Sequence, residues 1–164
     1  MEQGKCVGKD SLVIAFRGRL DSLCAAILEA QVLGEEMGNR GFVDDLQEIL
    51  EIVRSILPAE YTGIPLREFC PLGYSAGEVR EQSHNPHKYF NRRHLFMHYS
   101  MGTLSLRLNV LRTLVRETEL AAIAALRDSR NDITQTLNGL SSLLYILMYK
   151  YLPEHYIQNG DAGI

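Results

Sequence analysis

The sequence predicts an all-α protein, an antiparallel bundle of five helices with one long irregular segment before the fourth helix. Two observations predict this class. Apolar residues recur at intervals of three and four along most of the chain, and Val, Ile and Thr nowhere form the alternating runs that are typical of strands. The length of 164 residues and the apolar content of 46% fit a single domain, residues 1–164, with one core.

Composition argues against several classes of function. The net charge is −3 and Trp is absent, so the chain offers neither a general positive field nor a stacking platform for nucleic acid. No apolar run approaches the ~18 residues that span a bilayer, and no membrane partner is expected. Cys6, Cys24 and Cys70 are odd in number, far apart and without ligand spacing, which favours a reducing cytoplasm.

The first two helices follow from their apolar spacing and from signals at their ends. The first is predicted at residues 10–37, where Asp10 or Ser11 caps the first turn and glycines follow the last one. The second is predicted at residues 42–57 and ends at Pro58, because proline lacks the backbone N–H that a helix interior requires.

Residues 58–99 form the long irregular segment. Four of the five prolines fall in it, and Ser75 and Glu78 have the spacing of a capping box, which predicts a short helix that runs to about Ser83. Aromatic residues give this segment apolar surface to bury. A binding loop or lid is therefore favoured over a flexible linker.

The last two helices, predicted at residues 100–128 and 132–152, each carry a polar line beside the apolar line that faces the core. Adjacent residues lie about 100° apart on a helix, so each polar line flanks the core instead of opposing it. The members are Asn109, Arg112, Arg116 and Glu119 on the first helix and Thr134, Asn138, Ser141 and Tyr145 on the second.

Two interpretations of these lines stay open. They are ordinary solvated flanks, or they form an anion site between helices or between subunits. Arg112 and Arg116 lie one turn apart and repel each other unless an acid or a phosphate lies between them. Asp21 on the first helix is a source of part of that negative charge, and a polyphosphate is a source of the rest.

Residues 84–98 contain four histidines together with one lysine and two arginines. His94 and His98 have the spacing of two zinc ligands on one helical face. No cysteine or carboxylate stands close enough in the sequence to complete such a site, so no metal site is predicted. The composition favours a mobile basic lid over an anionic ligand.

Four motifs occur in a characteristic order along the chain. They are RLDSLCA at residues 19–25, SHNPHKY at 83–89, LRTLVRETE at 111–119 and DITQTLNGLSS at 132–142, and Lys9 stands twelve residues before Asp21. Together they resemble the ATP:cob(I)alamin adenosyltransferases, and most closely the ethanolamine-utilisation branch, whose last helix reads LNRLSS where this chain has LNGLSS. The resemblance covers nearly the whole chain.

The resemblance implies a five-helix bundle that assembles as a homotrimer and binds ATP and cobalamin where subunits meet. It implies transfer of the 5′-deoxyadenosyl group of ATP to cob(I)alamin, which yields adenosylcobalamin and triphosphate. It further implies Mg²⁺ at the triphosphate, and a flavoprotein reductase and an adenosylcobalamin-dependent lyase as partners. The implied location is the cytoplasm, in association with a bacterial microcompartment.

The resemblance also implies roles for the residues that match the family's motifs. Arg112 pairs with Asp21 across the subunit interface, and Arg116 holds the triphosphate. The other implied roles belong to Lys9 at the phosphates, Glu119 and Asn138 at the nucleotide, and Phe96 beneath the corrin, where it displaces the lower axial ligand.

The chain departs from the family in several places. It lacks a Thr/Gly-rich N-terminal phosphate loop and the longer N-terminal region with His and Cys metal ligands, Ala15 stands where relatives often have Glu, and the Leu-Pro-Gly pattern near Phe96 is absent. The chain is then either a fragment or a short metal-independent form in which residues 84–98 take the place of the missing N-terminal region. Two rival functions stay open: a non-catalytic corrinoid carrier or chaperone, and a purely structural bundle.

Overall fold

A computed structural model describes residues 11–157, without the side chain of Asp128. This part of the chain is helical and contains no strand, which confirms the predicted fold class. Its α-helices are α1 (Leu12–Glu36), α2 (Arg40–Thr62), α3 (Ala76–His84), α4 (Pro86–Phe90), α5 (Gly102–Leu126) and α6 (Asn131–Lys150). The described residues thus form six α-helices where five are predicted, because Pro86 begins the additional short helix α4.

The long helices pack side by side in one bundle. α1 contacts both α2 and α5, α6 lies against α5, and the short α3 packs on α6. Their buried apolar side chains form one core, and fully buried members include Phe16, Leu23, Phe42, Leu46, Leu108, Leu111 and Ile133. Within residues 11–157, none of the helices has the length and apolar character needed to cross a bilayer.

Side-chain caps fix the starts of α1, α2 and α3. The Ser11 hydroxyl accepts a hydrogen bond from a backbone N–H of the first turn of α1 at 3.3 Å. Asn39 Oδ1 accepts one from the Phe42 N–H at 3.0 Å, so α2 begins two residues earlier than predicted. Ser75 and Glu78 form the predicted capping box of α3. These caps satisfy backbone N–H groups that have no partner inside the helix.

The prediction that the second helix ends at Pro58 is wrong, because α2 continues through this residue to Thr62. The proline removes one donor from the helix interior, but other contacts hold the last turn. The Thr62 hydroxyl donates to the Pro58 carbonyl at 2.8 Å, and Gly63 ends the helix in the left-handed conformation with φ 76°. The Arg130 guanidinium, at the start of α6, donates to the Ala59 carbonyl. A tertiary contact therefore stabilises a turn that the local sequence alone predicts to be absent.

Two contacts anchor the irregular residues that follow α2. The Leu66 N–H donates to Asp132 Oδ2 at 2.9 Å, and the Arg130 guanidinium pairs with the same oxygen at 2.8 Å. Phe69 then packs against α6 at Gly139, where an added Cβ would lie 2.8 Å from the aromatic ring. The first part of the irregular segment is thus attached to α6 through Leu66 and Phe69.

Candidate functional site

The polar lines of α5 and α6 lie side by side on one surface of the bundle. Asn138 Nδ2 on α6 donates to Glu119 Oε1 on α5 at 3.0 Å. The Thr134 and Ser141 hydroxyls donate to carbonyls of their own helix, so Asn138 and Tyr145 are the members of the α6 line whose polar groups reach beyond it. We call the following residues the polar surface: Asn109, Arg112, Arg116, Glu119, Asn138 and Tyr145.

Arg112 and Arg116 are the positive part of the polar surface. The Arg112 side chain is half-buried, and its Nε and Nη2 atoms donate to Asn109 Oδ1 at 3.1 and 3.0 Å. Within residues 11–157, neither arginine pairs with a carboxylate. Burial and then the neighbouring Arg116 charge lower the pKa of Arg112 from its ordinary value, while Tyr145 acts in the opposite direction. Two adjacent positive charges without a countercharge are suited to bind an anion.

Asp21 is the acidic residue that the resemblance pairs with Arg112. It is exposed on α1 and forms no ion pair with any other described residue. One turn earlier, Arg17 pairs with Glu60 of α2 at 2.9 Å, so this flank of α1 faces α2. Arg112 instead lies on the flank of α5 that faces α6. The two residues therefore do not meet within one protomer, and their pairing stays a prediction that requires a second copy.

The segment between α4 and α5 crosses α6 at the Tyr145 end of the polar surface. The Tyr145 hydroxyl accepts a hydrogen bond from the Leu95 N–H at 3.0 Å and lies 3.2 Å from His94 Nδ1. Phe90 stacks on Tyr149, one turn further along α6, with 4.5 Å between ring centroids. These contacts bring part of the predicted lid next to the arginine pair.

Phe96 and the two histidines of the zinc alternative lie on this segment. The Phe96 side chain is 78% exposed. His94 contacts Tyr145, whereas His98 Nδ1 is 2.9 Å from the Ser100 hydroxyl. Among residues 11–157, no group of three or more His, Cys, Asp or Glu side chains is placed to hold a metal ion.

A cavity of about 620 Å³ lies away from the polar surface, between the second half of α2 and residues 62–71. Its α6 wall is Thr136, which is two residues from Asn138 and therefore on another flank of the helix. Of the predicted nucleotide-binding residues that the structure describes, none lines this cavity.

Comparison with known proteins relates this arrangement to one family. The family model for cobalamin adenosyltransferase matches residues 1–151. The chain belongs to the cobalamin adenosyltransferase family. It is 34% identical to the corrinoid adenosyltransferase EutT of Salmonella typhimurium over 156 residues, which cover 92% of this chain and 57% of that protein. It is also 34% identical to EutT of Escherichia coli K12 over 149 residues, 88% of this chain and 54% of that protein. The chain thus spans about half the length of these curated relatives, and no solved structure matches it.

Four of the residues predicted for a cobalamin adenosyltransferase site lie on the polar surface, namely Arg112, Arg116, Glu119 and Asn138. Phe96 stands on the segment that crosses its end, and Asp21 lies on another flank of the protomer. Lys9 lies outside the described residues. The structure therefore brings three of the four residues predicted for the nucleotide onto one surface, whereas Asp21 and Arg112 do not meet within the described chain.

Sequence reasoning missed two contacts of the candidate site. One is the hydrogen bond from the Arg112 guanidinium to Asn109 Oδ1. The spacing in the sequence could have predicted it, because residues three apart are neighbours on a helix. The other is the Tyr145 hydroxyl as the partner of Leu95. These two residues are 50 positions apart, and no local pattern indicates that they meet.

Proposed function

We propose that this cobalamin adenosyltransferase transfers the 5′-deoxyadenosyl group of ATP to cob(I)alamin and so forms adenosylcobalamin and triphosphate. The observation that carries the proposal is the arginine pair. Arg112 and Arg116 lie side by side without a carboxylate partner in the described chain, next to the hydrogen-bonded pair of Glu119 and Asn138. Membership of the family and similarity to corrinoid adenosyltransferases supply the substrate classes.

The reaction is a displacement at carbon. The cobalt of cob(I)alamin attacks C5′ of ATP, a cobalt–carbon bond forms, and the C5′–oxygen bond breaks with its electron pair leaving on the triphosphate. Because the cobalt is itself the nucleophile, the protein needs no activated Ser, Cys or His. The protein's task is to align the two substrates and to stabilise the leaving charge.

The polar surface offers groups for the nucleotide side of this reaction. Arg116 is proposed to bind the triphosphate, and Lys9 is proposed to reach the phosphates. Glu119 and Asn138 are proposed to contact the nucleotide, since together they offer carboxylate oxygens and an amide on the same face as Arg116. Arg112, held by Asn109, stands next to Arg116 and is proposed to meet the partner's Asp21.

Mg²⁺ is proposed to accompany the triphosphate, whose negative charge it would partly neutralise. Hard cations prefer oxygen ligands. Glu119 carries the one carboxylate of the polar surface, and its Oε1 atom is already oriented by Asn138. Glu119 is therefore the residue that would hold the ion or its bound waters.

A homotrimer is proposed as the active assembly. Asp21 and Arg112 each lack a partner of opposite charge in the described chain and lie on different flanks, so a closed ring of copies would pair each Asp21 with an Arg112. Exposed apolar residues on α1 and α5 support such an interface. They include Leu12, Leu28, Val32, Val110, Leu120 and Ile123.

Phe96 is proposed to lie beneath the corrin. Its large apolar side chain is 78% exposed and stands beside the polar surface, which supports contact with an apolar ligand face. An apolar residue at this place would remove the lower axial base from cobalt and so ease the reduction of Co(II)alamin. The two substrates would then meet between Phe96 and Arg116.

We also propose a setting for this activity. The resemblance to the ethanolamine-utilisation branch supports a cytoplasmic role beside a bacterial microcompartment. There a flavoprotein reductase would supply the reduced corrinoid, and an adenosylcobalamin-dependent lyase would use the product.

The test of the function is turnover by the wild-type chain and by Arg116→Ala. Chemically reduced cobalamin is supplied, so that no reductase is needed, and adenosylcobalamin is measured together with ATP affinity. Removing the Arg116 charge is expected to abolish most turnover and to weaken ATP binding, because the triphosphate loses its main cationic partner.

Arg40→Ala is the matched control. Arg40 is an exposed arginine at the start of α2 that pairs with Glu35 and Asp44, away from the polar surface. The control is expected to keep wild-type rate and ATP affinity. An Arg116→Ala protein with wild-type rate and affinity would contradict the triphosphate assignment. Wild-type protein that binds cobalamin but forms no product in a single turnover would indicate a corrinoid carrier instead.

A further inference from the structure

The Tyr145 hydroxyl connects α6 to the irregular segment that crosses it. It accepts a hydrogen bond from the Leu95 N–H at 3.0 Å and lies 3.2 Å from His94 Nδ1 and 3.0 Å from the Tyr149 hydroxyl. Tyr149 in turn donates to the Arg93 carbonyl at 3.0 Å. The two tyrosines thus bond three consecutive residues to one face of α6.

Counting protons fixes the direction of each of these bonds. A carbonyl only accepts, so the single Tyr149 proton goes to Arg93, and Tyr145 must donate its own proton to Tyr149. The Tyr145 oxygen is then an acceptor toward Leu95 and His94, which requires His94 to carry hydrogen on Nδ1. A tyrosine hydroxyl is already protonated at neutral pH. Burial, followed by the hydrogen bond with Tyr145, raises the pKa of Tyr149 further.

We propose that Tyr145 is a positioning residue that sets where Phe96 stands relative to the arginine pair, an inference that rests on the function proposed above. Phe96 follows Leu95 directly, and its side chain is 78% exposed. The bond between Tyr145 and the Leu95 N–H therefore restrains the backbone from which the Phe96 ring projects.

The same bond relates the corrinoid side of the site to the nucleotide side. Tyr145 lies seven residues after Asn138 on one face of α6, and a rise of 1.5 Å per residue separates them by about 10 Å along the helix. An in-line displacement tolerates little error in the placement of its two substrates. Loosening the segment that bears Phe96 is therefore expected to slow the transfer without weakening ATP binding.

Tyr145→Phe removes the hydroxyl and keeps the ring. The edge-to-face contact with Tyr149, at 5.4 Å between ring centroids, is retained. The Leu95 N–H loses its acceptor, and the hydroxyl's contacts with His94 and Tyr149 are lost with it. The matched control is Tyr151→Phe. Its hydroxyl donates to Asp45 Oδ2 at 2.7 Å, so the control also loses a tyrosine hydroxyl near the end of α6, but one that does not bond to the segment.

The experiment first establishes turnover by the wild-type protein with cob(I)alamin and ATP. For each variant it then measures kcat, both KM values, and the spectral shift of Co(II)alamin to its four-coordinate form in the presence of ATP. Tyr145→Phe is expected to lower kcat and the four-coordinate fraction by about tenfold, with the KM for ATP changed by less than about twofold. Tyr151→Phe is expected to match the wild type in all of these.

The possible outcomes separate this inference from the function on which it rests. Wild-type protein without turnover overturns the proposed function, and the positioning role falls with it. Active wild type with an unchanged Tyr145→Phe variant overturns the positioning role alone, and so does an equal loss in both tyrosine variants. Independently of any variant, the Leu95 amide is expected to be protected from hydrogen exchange, and exchange at the rate of a free loop would also refute the inference.

Discussion

Gly139 offers a direct test of how the irregular segment is fixed to α6. An added Cβ at this position would lie 2.8, 2.9 and 3.2 Å from three carbons of the Phe69 ring. Real Cβ contacts are not this short, so Gly139→Ala requires Phe69 to move. Overpacking of this kind costs about 1–3 kcal/mol, whereas replacing glycine by alanine inside a helix gains about 1 kcal/mol. The balance predicts a free energy of unfolding that is unchanged or lowered by up to about 2 kcal/mol.

Repeating Gly139→Ala in a protein that lacks the Phe69 ring shows whether this ring causes the loss of stability. In a Phe69→Ala protein the ring is absent, so adding Gly139→Ala is expected to raise the free energy of unfolding by about 1 kcal/mol. The matched control is Gly18→Ala in the helix α1. An added Cβ at Gly18 meets no atom within 4 Å, and the same gain is expected in the otherwise wild-type chain.

Urea or thermal unfolding of the four proteins of this cycle measures the coupling between the two positions. One kcal/mol corresponds to about 2–4 °C in Tm for a chain of this size. If Gly139→Ala stabilises the protein equally with and without the Phe69 ring, the added methyl group does not contact that ring. This result would refute the argument that the segment is attached to α6 at this position.

Two further predictions concern charge. Asp21→Arg is expected to dissociate the proposed trimer in sedimentation measurements, and adding Arg112→Asp is expected to restore it. If neither change alters the sedimentation, the proposed pairing of Asp21 with Arg112 is wrong. The Arg130 guanidinium and the Leu66 N–H lower the pKa of Asp132 from 3.8 to about 2, so Asp132 stabilises the fold fully above about pH 4 and loses this contribution as the pH falls through 2. Asp132→Asn is expected to remove that part of the acid dependence of unfolding, measured between pH 2 and 6.

The fold class could be predicted because helical spacing of apolar residues is a local property of the sequence. The error at Pro58 arose because local rules predict a helix end there, while the Arg130 guanidinium and the Thr62 hydroxyl hold one more turn. Arg130 is 71 positions away from Ala59, the residue whose carbonyl it contacts, so rules about neighbouring residues cannot predict this contact. The short helix at Pro86 was missed for a different reason, since proline was used only as a breaker and not as a first helical residue.

The candidate site shows the same division between local and distant information. That Arg112, Arg116 and Glu119 share one flank of α5 follows from the turn of the helix alone. That Asn138 bonds Glu119 required only the further step that the last two helices are antiparallel neighbours. The position of Phe96 was beyond such reasoning, because it depends on where an irregular segment crosses α6.

The arginine pair itself argues for a site completed by something outside the chain. Arg112 is half-buried beside Arg116, and both burial and the neighbouring charge work against its positive form. A neutral amide, Asn109, orients its guanidinium but supplies no countercharge. Folding alone therefore gains little from placing these two residues together. A partner's carboxylate and a bound triphosphate, as proposed above, would provide the missing negative charge. If both do so, we expect assembly and ATP binding to strengthen one another.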